Sequence, residues 1–130
     1  MLILTIRTDN PKAEIGLFED DKRLAYEAWE AHRILSDTIH PKISELLGSQ
    51  HKTLGDLQGI VCFRGPGSFT GLRIGITVAD TLAYGLSTPV VGAMGGDWMA
   101  QGIKRLRAGE NDRIVLPHYG APVHITTPRK

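Results

Sequence analysis

The sequence predicts an α/β fold: a mixed sheet with helices packed on it. Three observations predict this. Residues 2–29 break into short apolar or alternating runs separated by Asp/Asn/Pro turns. The hydrophobic period changes to that of a helix at Ser36. Beyond it, apolar runs and helical stretches take turns, which gives the order β-β-β-α-β-α-β-α.

Leu2 to Ile6 is a short apolar run suited to a central strand. Thr8-Asp9-Asn10-Pro11 turns the chain, because Asp and Asn tolerate unusual dihedrals and Pro starts a new direction. Ala13 to Phe18 reads as a second strand, Glu19-Asp20-Asp21 as a turn, and Arg23 to Trp29 as a third strand, completing an antiparallel meander. Ser36 then serves as N-cap of a helix carrying Ile39, Ile43, Leu46 and Leu47 up to Gly48, with Pro41 causing a kink or an irregular first turn. Thr53 is a second capping candidate. Strand 58–64, a Gly-rich loop, helix 70–86, strand 89–93 and helix 97–106 follow, and 113–116 is the last candidate strand.

At 130 residues, 42% apolar and 22% charged, the composition is that of one soluble globular domain. A net charge of +1 provides no global field for nucleic acid or membrane. The charge is uneven, however. Residues 1–100 hold 9 Lys/Arg against 12 Asp/Glu, and 101–130 hold 6 against 2. The basic group Lys104, Arg105, Arg107, Arg113, Arg129 and Lys130 could touch phosphates, although six spread charges are more often a solubilising surface. Cys62 is the only cysteine and falls in a buried strand, which excludes an internal disulfide and a Cys-based metal site. The five histidines lack ligand spacing, so no metal is expected. Met1 to Ile6 is too short and insufficiently basic for a leader or span, and the expected location is the cytoplasm.

The segment Gly65-Pro66-Gly67-Ser68-Phe69-Thr70-Gly71-Leu72-Arg73-Ile74-Gly75 stands out. Such a loop can hold anions on backbone N–H groups, or let two backbones approach closely. It lacks the Lys-Ser/Thr pair of a P-loop, since Leu72-Arg73 follow Gly71. Thr70 stands where a dinucleotide loop needs its third glycine, and Pro66 and Thr70 replace the glycines that flank a nucleophile elbow around Ser68. Ser68 and Thr70 therefore read as helix caps. In the helix that follows, apolar and small side chains cover about 200° of the circumference, leaving Arg73, Thr77, Asp80, Thr81 and Tyr84 as a polar stripe. Gly71, Gly75, Ala79 and Ala83 recur every fourth residue as a ridge of small side chains. That helix is either sandwiched within its own domain or in part applied to a second subunit.

Gly65 to Ile76 resembles the signature of the TsaB family, bacterial proteins of tRNA threonylcarbamoyladenosine biosynthesis, and the likeness extends over Leu54 to Gly102. The meander and the Ser36–Leu47 helix with Pro41 fit the same family. The resemblance implies the actin-like/ribonuclease H-like (ASKHA) fold. It also implies a non-catalytic subunit without cofactor, which pairs with the transferase TsaD, with the ATPase TsaE joining the assembly. Pairing in the family uses the two helices equivalent to Ser36–Leu47 and Thr70–Leu86, and the same surface is expected to form a homodimer when the partner is missing. The candidate interface residues are accordingly Ile39, Ile43, Leu46, Gly71, Leu72, Gly75, Ile76, Ala79 and Ala83, with Gly65, Pro66, Gly67, Ser68 and Thr70 as a structural loop.

Two departures bear on this. The Asp usual at the end of the superfamily's first strand, near a nucleotide phosphate, is Arg7 here. The family's second lobe is not found in this sequence, and 116–130 resembles the family's C-terminal tail. The expectation is a minimal version, with a lobe over 1–116, an irregular tail over 117–130, and no nucleotide site of its own. The rival reading is a small nucleotide-binding enzyme using Gly65–Gly71. A peptidase-like activity has no nucleophile–base pair to support it.

Overall fold

The computed structural model describes residues 1–67 and 69–118. Five strands, β1 (Leu2–Arg7), β2 (Lys12–Glu19), β3 (Lys22–Glu30), β4 (Gly59–Phe63) and β5 (Val90–Ala93), form one sheet in the order β3-β2-β1-β4-β5. β1 pairs antiparallel with β2 (Ile6 opposite Ile15) and parallel with β4 (Thr5 opposite Val61). β2–β3 is antiparallel and β4–β5 parallel. β4, and β1 apart from Thr5 and the terminal Arg7, are apolar because they are covered on both faces. β2 and β3 join through Asp20-Asp21, with Asp20 at φ 53°, a left-handed conformation that a short polar side chain tolerates.

Period-2 alternation assigns the helices to faces. Ile6, Ile15 and Glu27 lie in one cross-strand row, and Glu27 accepts from Lys42 of α1 (Leu35–Gly48) at 2.7 Å. α2 (Phe69–Leu86) packs beside α1 on that face. Thr5, Val61 and Gly59 point to the other face, where α3 (Trp98–Arg107) lies with Gly102 against Val61 and Leu106 against Gly59. The predicted element order holds throughout.

Two local expectations are corrected. α1 does not start at a Ser36 cap: a 3-10 turn over His32–Ile34 leads straight into Leu35, with Ile34 at the cap position. The start is fixed instead by Thr38, whose hydroxyl donates to Ile34 O at 2.8 Å and accepts from the Trp29 indole at 2.9 Å, tying β3 to the helix. Residues 113–116 form no strand. Arg113 has φ 68°, and the outward N–H groups of β5 are taken by side chains, Val90 by Asn111 Oδ1 (3.1 Å) and Gly92 by Asp112 Oδ2 (2.9 Å). Thr53 does cap, in a reciprocal box with Asp56 over the 3-10 turn Leu54–Asp56.

Candidate functional site

The loop, the β1–β2 turn and α2 meet at one end of the sheet. Gly65 adopts φ +120°, a conformation that a side chain would strain, and a β-carbon there would collide with the His118 carbonyl. A β-carbon on Gly67 would overlap Asp9, at 2.7 Å from its Oδ2. Gly71 lies against the Thr8 carbonyl and Gly75 against the Thr8 side chain, while the Thr8 hydroxyl donates to Gly71 O at 2.6 Å. These glycines thus allow the close approach foreseen for them, and what approaches is the chain itself: His118 at Gly65, and the β1–β2 turn at Gly67, Gly71 and Gly75. Pro66 is solvent-exposed in the loop, Thr70 is exposed in the first turn of α2, and Ser68 lies outside the described residues.

The end of β1 is occupied by a cation. Arg7 donates from Nε to Asp9 Oδ1 at 2.7 Å and from Nη2 to Oδ2 at 3.3 Å, and its guanidinium lies over the Phe63 ring, 3.8 Å from the centroid. Trp98 meets that ring edge-on at 5.7 Å. The Asp9 side chain is 5% exposed. What Gly67 faces is therefore a carboxylate already held by a guanidinium, an arrangement poorly suited to a phosphate. Cys62 is buried nearby, and burial pushes its thiol well above the usual range, which makes it an inert core residue.

Most of the nine interface candidates face inward in the single chain. Ile39, Ile43, Leu46, Leu72, Ile76, Ala79 and Ala83 are buried in the chain's own core, and Gly71 and Gly75 are filled against Thr8. The wide apolar arc of α2 is largely divided between the sheet and α1, with Ile74, Leu82 and Leu86 only partly buried. The outward surface is made mainly of other residues, although Ile39 also lines the groove between the two helices. Ser36 and His40 of α1 and Thr70, Arg73, Ile74 and Thr77 of α2 line a groove of about 420 Å³. Arg73, Thr77 and Tyr84 follow one line along α2, and Tyr84 is 90% exposed. The sequence did carry this signal: these three belong to the polar stripe read along that helix.

The basic group is not a single patch. Arg105 is held by Glu110 at 2.7 Å and by Asp112, and its Nη1 also donates to Gly92 O at 2.9 Å. Arg107 stands 4.0 Å from Asp20 and Asp21. Arg129 and Lys130 lie outside the described residues. No group of three potential metal ligands occurs among the described residues, and no described helix is long and apolar enough to cross a membrane.

A mixed five-stranded sheet with two helices on one face and one on the other defines an α/β lobe of the ribonuclease H-like/actin-like class. Thermus thermophilus RuvC shares that fold (TM-score 0.52, 12% identity, 96% of this chain and 87% of that one). YeaZ from Pseudomonas aeruginosa superposes with a TM-score of 0.68 at 27% identity, over 83% of this chain and 49% of that one. The family model described as TsaD, tRNA N6-adenosine threonylcarbamoyltransferase, matches residues 29–113. The Bacillus subtilis tRNA threonylcarbamoyladenosine biosynthesis protein TsaB is 38% identical over 90 residues, 69% of this chain and 39% of that protein. The chain belongs to the TsaB family, to which the TsaD model is related. It spans about half the length, or less, of TsaB from Bacillus subtilis and of YeaZ.

Proposed function

We propose that this chain is a non-catalytic subunit that holds a TsaD-type transferase in position for threonylcarbamoyl modification of adenosine in tRNA. The carrying observation is the outward line Arg73–Thr77–Tyr84 beside the α1–α2 groove. A fully exposed tyrosine in register with polar neighbours is the composition of an interface anchor with its rim. The pairing helices are those the family resemblance implied, but the pairing residues are the outward ones. The Arg7–Asp9 pair supports a subunit without nucleotide chemistry, because it sits where an ASKHA protein would place a carboxylate near phosphate. A TsaE-type ATPase would join through the complex, and self-association through the same helices is the reading for the chain alone. Contact with tRNA falls to Lys104 and to the loosely paired Arg107 rather than to Arg105, which Glu110 and Asp112 hold closely. The setting for such work is the cytoplasm.

The test is complex formation with TsaD from the same organism, followed by size-exclusion chromatography and tRNA modification. Tyr84→Ala is expected to weaken binding by about tenfold or more while the thermal transition stays in place. No complex, or one indifferent to Tyr84→Ala and Thr77→Glu, overturns the proposal. Micromolar binding of ATP with magnesium by calorimetry would favour the nucleotide-enzyme reading instead.

A further inference from the structure

The three most exposed large apolar side chains among the described residues are Tyr84, at 90%, and Ile114 and Leu116, each at 64%. Single apolar residues on a surface are ordinary, whereas a cluster of them is not. A hydrogen bond brings these three together. The strap 111–118 runs from the outer edge of β5 to the Gly-rich loop, and midway along it Val115 N–H donates to Asp80 Oδ1 at 2.9 Å. Asp80 lies one turn before Tyr84, on the line that Arg73 and Thr77 begin. Val115 is buried against Gly92, so its neighbours Ile114 and Leu116 turn outward beside that line.

The strap is held closely in this position. Asp112 N–H donates to Val90 O at 2.8 Å, Arg64 Nε to Leu116 O at 2.9 Å, and His118 N–H to Arg64 O at 2.7 Å. Part of the anchorage costs stability. Ile114 N–H donates to Asp112 O at 2.7 Å across Arg113, whose φ of 68° makes this a γ-turn of the strained kind. Burial pushes the Asp80 carboxyl up, so its charged form disfavours folding. A strained turn and a partly buried carboxylate thus hold a strap that keeps two aliphatic side chains in water. Strain of this kind collects at binding and switch regions.

We propose, resting on the partner role argued above, that the strap forms one side of the surface that receives the TsaD-type partner, with Tyr84, Ile114 and Leu116 as one apolar patch and Arg113 at its border. Ile74 and Val78 face the α1 groove on one side of the outward line of α2, and Asp80 takes the strap on the other. The partner surface is therefore continuous from α1 across α2 to the strap. Arg113 is exposed and makes no ion pair among the described residues, so the partner that fits is aliphatic at the centre of this contact and carries a carboxylate at its edge.

Calorimetric titration of the full chain with TsaD from the same organism tests this. Ile114→Ser, Leu116→Ser and Arg113→Glu are each expected to weaken the complex by about fivefold to tenfold, with the thermal transition in place. Tyr26→Ser, on the opposite edge strand of the sheet, should leave the affinity unchanged. Asp80→Ala, which removes the anchor and keeps the patch residues, should weaken binding, and Asp80→Asn, whose carbonyl can still accept from Val115, should restore it. A complex weakened by Tyr84→Ala but indifferent to Ile114→Ser and Leu116→Ser overturns the strap's role and leaves the partner role standing. No complex at all overturns both. Serine variants that loosen self-association of the chain and spare the complex place a second copy on the patch, and overturn the strap's role as well.

Discussion

Thr8 and Gly75 are locked together. A β-carbon on Gly75 would overlap the Thr8 side chain, whose hydroxyl donates to Gly71 O at 2.6 Å, one turn earlier on α2. The helix therefore seats on the β1–β2 turn through an absent side chain and one hydrogen bond.

Gly75→Ala is expected to destabilise the fold by about 1–3 kcal/mol, because overpacking outweighs the helix propensity gained. Thr8→Ala in the same molecule should recover part of that loss. Denaturant melts of the single and double variants check it, and additive effects would show that the contact is not the cause.

Arg7 and Asp9 hold the loop from below. Arg7→Ala leaves the Asp9 carboxylate buried without its cation and should cost about 3 kcal/mol, whereas the double variant with Asp9→Ala should cost less than the sum of the two singles. The change in thermal midpoint across the four proteins measures the coupling.

Two carboxylates beside β5 should respond to acid with opposite sign. Burial pushes Asp112 up, but the Arg105 hydrogen bond and the Gly92 N–H outweigh it and hold the carboxyl below its ordinary 3.8. Its contribution is present above that value and is lost as pH falls through the depressed pKa. Asp80, raised by burial although it accepts from Val115 N–H at 2.9 Å, disfavours folding when charged. Asp80→Asn should match or exceed the native stability at pH 7, and its advantage should vanish as pH falls through the raised pKa of Asp80. Asp112→Asn should lower stability at pH 7 and flatten the loss below about pH 4. Melts between pH 3 and pH 8 read both.

The fate of α2 shows how far the sequence could be read. Its ends, its glycine ridge and its apolar arc were all legible, because periodicity reports which side chains avoid water. What they are buried against was not, since a side chain covered by β1 and one covered by a partner have the same composition. Likewise Asn111 and Asp112 gave no sign that they would cap β5, because a carboxylate that accepts from a strand edge reads as an ordinary loop residue.

The sequence by itself determined the order of elements, the glycine turn and the family, all of which rest on local spacing and on an unbroken motif. Only the tertiary structure decided that Gly71 and Gly75 of the α2 ridge are closed by Thr8, 63 residues away from Gly71. The reason is physical: local spacing fixes which face of a helix is apolar, but its packing partner is chosen by strands far off in the chain.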